Sequence, residues 1–576
     1  MKIRQYFEKP QGVVQRRYEA LRLHIVEKIP LKIASERLKI SFSYLLAEKA
    51  KASKLIQEGI DPFFLEKKPG PKTKHKADPV KEKVIALRKL NYSILDIKAS
   101  LEACGLKISH DTINEILKRE GFSRLNRRTY IEKNHLVLPK QIQSPRSSEL
   151  TFEKVEFSTG RSGGILAFLP LIESLGIIPA IRKAGYPSTS EISAESYVLS
   201  FLALKLIDTK KLSHDENWSL DRVLGLFSGS NVLPKNASLS SYSYRASREC
   251  NRKFLIELNR IFNTAESDSC EFNLDFKTIP HWGDESVLER NYSTSRGKAV
   301  KSVLALIVQN ITSDNIAYTN AEITHDGEKD CVLEFVDFWK DSTGTSPKML
   351  IFDSQCTIYE NLNKLNKDDI KFLTLRRRNK KMLEHVKQLP KEAWKIVEVQ
   401  AGKRKSRKVK VYDEIISLSK YENPIRQIII IDHSKEAVFM LTNDLETAAS
   451  VLIRKYGRRW LVEQEIAEQI SFFHLNQLSS SVVVKVDFDL TLTVLAHNLY
   501  RSLESKIDRH EKSTVATLHR RFIEGRALVE MKGKEVLVTL SKRAHSPLLF
   551  EAPWMKKVTK LSWHGFKISF KIGTSS

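Results

Sequence analysis

From about residue 270 the apolar residues change period, and the order of the segments that follow restricts the fold more than any other feature of this chain. Residues 272–276, 300–310 and 316–323 have strand lengths and strand composition, and Thr312, Ser313, Asp314 and Asn315 make a turn between the last two. Residues 328–340 then repeat at helical spacing. Met349-Leu350-Ile351-Phe352 is a short apolar strand, 358–365 a helix and 370–375 another strand. Three antiparallel strands, a helix, and then a strand, a helix and a strand form an α/β unit with helices on its sheet.

Four more strand-like segments follow, at 394–399, 409–412, 425–432 and 437–441, before long helical patterns at 446–473 and 490–504. This order is that of a ribonuclease H-like core. Its first part would span 269–379, a β-rich insertion 380–445, and its closing helices 446–505. The hairpin inside the insertion carries Lys403, Arg404 and Lys405, a cationic tip suited to DNA. Residues 151–268 read as a helical region and 506–576 as a basic, partly strand-like C-terminal region.

Three acids stand out against this plan. Asp275 lies in the first apolar strand, Asp353 directly follows Phe352, and Glu463 lies on the long helix after 446. Carboxylates at strand ends can hold a divalent metal at a sheet edge, and three that converge can hold paired Mg²⁺ ions for phosphodiester cleavage. Asp284 rivals Asp275, but it follows Pro280 and Gly283 in a turn. Glu465 rivals Glu463, but points roughly 200° away around the helix. On that helix Tyr456, Arg459, Trp460, Glu463, Ala467 and Ile470 share one face. An arginine one turn before a metal-binding glutamate can hold a phosphate. The competing reading is a core stripe with a structural Arg–Glu pair.

Together these features resemble the DDE transposases of bacterial insertion sequences, and most closely the group with a Tyr-x2-Arg-x3-Glu-x6-Lys signature on the last catalytic helix. Tyr456, Arg459 and Glu463 match its first three positions; Ile470 stands where the lysine is expected. One turn further on, His474 is placed to replace that lysine in part. The resemblance implies Asp275, Asp353 and Glu463 as catalytic metal ligands and Tyr456 and Arg459 as DNA contacts. It further implies two Mg²⁺ ions, with Mn²⁺ able to substitute, and in-line cleavage and strand transfer without a covalent enzyme–DNA intermediate. A homodimer holding two DNA ends is implied in the same way.

The N-terminal quarter suits such a substrate. Residues 1–150 hold 32 Lys and Arg against 17 Asp and Glu, a balance of +15 out of the chain's +26. Helical segments at 14–28, 31–38 and 42–55 make a helix-turn-helix pattern within a first domain, 1–66. Ile33, Ala34, Leu38, Ile40 and Leu45 are its expected core, and Lys49 and Lys51 face outward. A Pro/Gly linker at 67–80, with Lys72 and Lys74, reads as an extended cationic arm. A second helix-turn-helix domain, 81–129, follows. Its helices 81–90, 94–103 and 110–119 have caps at Ser93 and Ser109, and Lys118 and Arg119 are its DNA contacts. Residues 130–150 read as a linker. The partner is thus double-stranded DNA: the element's terminal inverted repeats and target DNA. The five cysteines lack metal-site spacing, and no apolar run is long enough for a membrane span, so a reduced cytoplasmic protein of bacterial type is expected. Two other functions compete: a catalytically dead, transposase-derived regulator, and a ribonuclease H-like repair nuclease.

Overall fold

In the computed structural model the described residues are 10, 12–59, 61–63, 79–89, 92–103, 106–122, 152–263, 270–281, 288–293, 297–401, 405–432, 436–474, 482–507 and 513–573. Residues 1–78 and 79–576 form two compact units. The first contains α1 (Val13–Ile25), α2 (Leu31–Arg37) and α3 (Phe42–Gln57) around Ala20, Leu21, Leu31, Leu45 and Ala52. Leu38 and Ile40 pack partly against this core, whereas Ile33 is 52% exposed. The expectation for Ile33 fails because Leu31, Ala34 and Leu38 share the inward face of α2, and Ile33 lies about 200° from Leu31.

The larger unit opens with α4 (Pro79–Lys89), α5 (Ile94–Ala103) and α6 (His110–Arg119), packed around Val84, Ile97, Leu101, Ile113 and Leu117. Ser93 and Asp96 cap α5 reciprocally: Asp96 N donates to Ser93 Oγ, and Ser93 N to Asp96 Oδ2. Ser109 caps α6 by accepting from Thr112 N. This three-helix unit packs on the rest of its body through Ile85, Ile116 and Phe122, which meet Val482, Val484 and Tyr244. Lys81 also pairs with Glu120 across it at 2.7 Å.

Next comes β1 (Phe152–Thr159), and then helices that include α7 (Ala194–Leu206) and α8 (Arg248–Phe262). The main sheet begins with β2 (Glu271–Pro280), β3 (Arg290–Ser293), β4 (Lys298–Asn310) and β5 (Ile316–Ile323). It continues through α9 (Cys331–Thr343), β6 (Met349–Phe352), α10 (Tyr359–Lys367) and β7 (Lys371–Arg376). In space β5 pairs with β4, β4 with β2, β2 with β6, and β6 with β7. The β2–β6 and β6–β7 pairs are parallel, and the other two antiparallel. This is a mixed α/β arrangement.

After β7 comes α11 (Lys380–Gln388), a helix the sequence reading does not include. It is followed by β8 (Lys395–Ala401), β9 (Lys405–Ile416), β10 (Ile425–Ile431) and β11 (Ala437–Thr442). These strands do not make a sheet of their own. Because β11 pairs antiparallel with β7, they extend the main sheet in the order β7-β11-β10-β9-β8.

Two long helices cover the two faces of that sheet, α12 (Ala449–Phe472) and α13 (Val483–Glu504). Leu452, Ile453 and Tyr456 of α12 meet Met349, Ile351, Leu373, Ile428 and Met440, while Leu350 and Phe352 face the larger core that includes α13. α12 starts at 449 because Asp444 first holds a turn, accepting from the amides of Glu446 and Thr447. α13 starts seven residues before the expected 490. Its opening Val483, Val484 and Val486 are β-branched, but burial against the core overrides their strand preference.

The chain's end returns to β1. The strands β12 (Ala527–Gly533), β13 (Glu535–Leu540), β14 (Thr559–Lys560) and β15 (Lys567–Ile572) form a second sheet in the order β1-β12-β13-β15-β14. The approach is close: a Cβ on Gly164 would lie 2.1 Å from the Phe522 carbonyl oxygen. No single described helix is long and apolar enough to cross a membrane. The described cysteines Cys250, Cys270, Cys331 and Cys356 are free thiols.

Candidate active site

Side chains alternate along β2, so Phe272 and Leu274 enter the larger core while Asp275 faces α12. In the parallel ladder Leu274 is opposite Phe352. The residues that follow them, Asp275 and Asp353, therefore stand side by side at the same level of two neighbouring strands. Asp353 also caps the short turn after β6, its Oδ1 accepting from Ser354 N at 2.6 Å. Thr374 of β7 donates to the Asp353 carbonyl at 3.4 Å and lies 2.6 Å from the Thr357 hydroxyl. Gln355 donates to Glu328 at 2.8 Å, fixing the loop from its other side. Sequence reasoning did not single out Thr357, Thr374, Gln355 or Glu328. Nearness to Asp353 in sequence or register could have suggested Thr357, Thr374 and Gln355, and nothing in the sequence points to Glu328.

Across from these acids, α12 presents Lys455 and Arg459, one turn apart. Lys455 Nζ lies 2.6 Å from Glu271 Oε1, and Arg459 Nη1 lies 3.0 Å from Asp275 Oδ1. Arg459 Nη2 is 4.0 Å from Asp353 Oδ2, so one guanidinium faces both acids. The acids keep some solvent access, with side chains 22% and 42% exposed, whereas the arginine side chain is 5% exposed. Burial pushes the Cys356 thiol up, and the nearby carboxylates of Asp353 and Asp275 add to the shift.

Two residues expected to meet DNA, Tyr456 and Arg459, are buried. The Tyr456 ring is 4% exposed and packs in the core under the sheet, because its position on α12 is continuous with Leu452 and Ile453. Arg459 is buried over that ring, its guanidinium carbon 5.5 Å from the centroid, and it binds the site's own carboxylates. His474 follows the last turn of α12 with φ 55° and lies 2.6 Å from Asp208. Glu463 is four residues beyond Arg459 on the same helix; its side chain, like that of Ile470, lies outside the described residues.

Residues 325–499 match the family model of the transposase DDE domain. The matched segment contains Asp353, Tyr456, Arg459 and Glu463 and ends within α13; Asp275 precedes it. Asp275 joins the site through the β2–β6 register and through Arg459. No curated protein matches the chain. Among the described residues no group of three or more acidic, histidine or cysteine side chains forms a metal cluster. Two hard carboxylates that already converge on one cation do fit a divalent ion.

The remaining sequence-selected cations lie on α3, on α6 or outside the described residues. Lys51 is exposed on α3, and Lys49 there lies 2.8 Å from His24. Lys118 and Arg119 are exposed on α6, with Arg119 3.7 Å from Glu115. Lys72, Lys74, Lys403 and Arg404 lie outside the described residues, as does the side chain of Lys405.

A second charged cluster, away from these acids, also escaped the sequence reading. Asp487 of α13 is wholly buried; it accepts from Arg248 at 2.7 Å and from Asn251 at 2.7 Å. Arg248 also donates to Tyr318, which donates to Glu334. Acids set among the valines and Phe488 of Val482–Leu490, Asp487 and Asp489, were the available signal.

Proposed function

We propose that this protein is a transposase that binds the ends of a mobile DNA element and cuts and joins DNA strands by the three-carboxylate mechanism. The observation that carries the reading is the pairing of Asp275 and Asp353 at the same level of parallel β2 and β6, facing α12, within a chain whose residues 325–499 match a transposase DDE domain. The strand order β5-β4-β2-β6-β7, antiparallel on one side and parallel on the other, supports a ribonuclease H-like core.

Asp275, Asp353 and Glu463 would hold Mg²⁺, or Mn²⁺ in its place, and the bound ions supply Lewis acidity for attack on phosphorus. The protein's own part is to fix the acids. Ser354 N and the Thr357–Thr374 pair hold the Asp353 segment, and the ladder holds Asp275. In this reading the two three-helix units recognise terminal repeats as helix-turn-helix modules, with Lys51, Lys118 and Arg119 on phosphates. A dimer would hold two ends together, as in a bacterial insertion-sequence transposase.

The test uses a linear duplex carrying the DNA that flanks the gene. Full-length protein with Mg²⁺ should nick or cut it at a defined position, and Asp353→Asn should bind the duplex without cutting. Cleavage that persists in Asp353→Asn, or proceeds in EDTA, would remove this function.

A further inference from the structure

The guanidinium of Arg459 stands where the two acids would hold a cation. It reaches Asp275 at 3.0 Å and Asp353 at 4.0 Å. It is also set in place from below, over the Tyr456 ring, and Tyr456 is itself fixed in the core beside Met349 and Ile351. The arginine is thus built into the site and does not extend into solvent. A small divalent ion binds carboxylate oxygens at about 2.1 Å. It cannot take both acids while a guanidinium lies between them, because two cations held that close beside a buried guanidinium repel strongly.

We propose that Arg459 gates metal loading, on the reading of Asp275 and Asp353 as metal ligands. In the DNA-free protein its side chain occupies the two carboxylates and keeps divalent ions out. A DNA phosphate draws it off, since a phosphate matches the guanidinium in charge and in two-pronged geometry. The helix need not move for this to happen. The Lys455–Glu271 pair at 2.6 Å, one turn earlier, keeps α12 anchored to β2 while the Arg459 side chain releases. The consequence is coupling: metal binds weakly without DNA and tightly with it, so the free enzyme is held inactive.

The experiment is a Mn²⁺ titration of the full-length protein without DNA, followed by electron paramagnetic resonance of the free ion. Arg459→Gln should bind Mn²⁺ at least tenfold more tightly than wild type, and combining it with Asp353→Asn should abolish that site. Adding a duplex oligonucleotide should tighten Mn²⁺ binding to wild type and leave Arg459→Gln nearly unchanged. If wild type and Arg459→Gln bind equally, at a site lost with Asp353→Asn, the metal site stands and the gate is wrong. If neither shows a site that depends on Asp353, both the gate and the metal reading fall. Should circular dichroism show Arg459→Gln unfolded, Arg459→Lys decides: a shorter point charge cannot span both acids, so Mn²⁺ affinity should rise severalfold, and an unchanged affinity overturns the gate.

Discussion

Arg459 donates to Asp275 across 3.0 Å, joining the helix that carries Glu463 to the strand that carries the first acid. From the helix pattern Arg459 is expected to hold DNA phosphate, with a structural Arg–Glu pair as the competing reading. Its burial and its partner give it a structural role as well. Arg459→Gln should lower stability by about 1–3 kcal/mol. A double-mutant cycle with Asp275→Asn should show coupling on the order of 0.5–3 kcal/mol. Urea denaturation of the four proteins measures it, and strictly additive losses would mean that the pair contributes nothing.

Asp487 anchors a second, buried charge cluster. It is fully buried and holds Arg248 and Asn251, so α8, β5 and α13 meet on one carboxylate. Asp487→Ala leaves the Arg248 guanidinium without its nearest counter-charge and should cost about 3–5 kcal/mol. A chemical-denaturation midpoint within error of wild type would refute this.

Glu322 makes stability depend on pH. Burial, and then the charge of Asp487, raise its carboxyl to about 7; Glu120 also raises it, while Arg248 and Lys81 oppose the shift. Lys89, lowered by burial, faces the same cluster. A raised carboxylate pKa favours the folded state fully below the unfolded value near 4.5, and that contribution is lost as pH rises through about 7. Glu322→Gln should therefore melt close to wild type at pH 5 and gain on the order of 1–3 kcal/mol over it by pH 8. Parallel melting curves at the two pH values would show that Glu322 does not titrate in this window.

Lys51 lies exposed on α3, the last helix of the first three-helix unit. If that unit sits on DNA phosphates, Lys51→Ala should weaken binding about equally for all sequences and reduce the log–log salt slope by about 1. Fluorescence anisotropy at several salt concentrations reads this directly, and an unchanged slope would place Lys51 off the DNA.

Much of the architecture was legible in the chain because local patterning and burial agree. β5 and β6 lie at their expected bounds, and α5 and α6 run as Ser93 and Ser109 direct. Asp275 and Asp353 drew attention because each breaks or ends an apolar strand, where an acid is costly unless it is partnered, and the structure sets the two side by side facing Arg459. Sequence alone could not say that β8 to β11 extend the main sheet, since strand pairing is a choice among edges that the hydrophobic pattern leaves open. Nor could it join β1 to β12, whose partners Phe157 and Val529 are far apart in the chain. The helix period put Tyr456, Arg459 and Glu463 on one face, but which way that face points depends on what packs against it. Tertiary structure turned Tyr456 into the core and Arg459 onto two aspartates, because the apolar neighbours of Tyr456 fix the rotation of α12 and that rotation brings Arg459 against the carboxylates of β2 and β6.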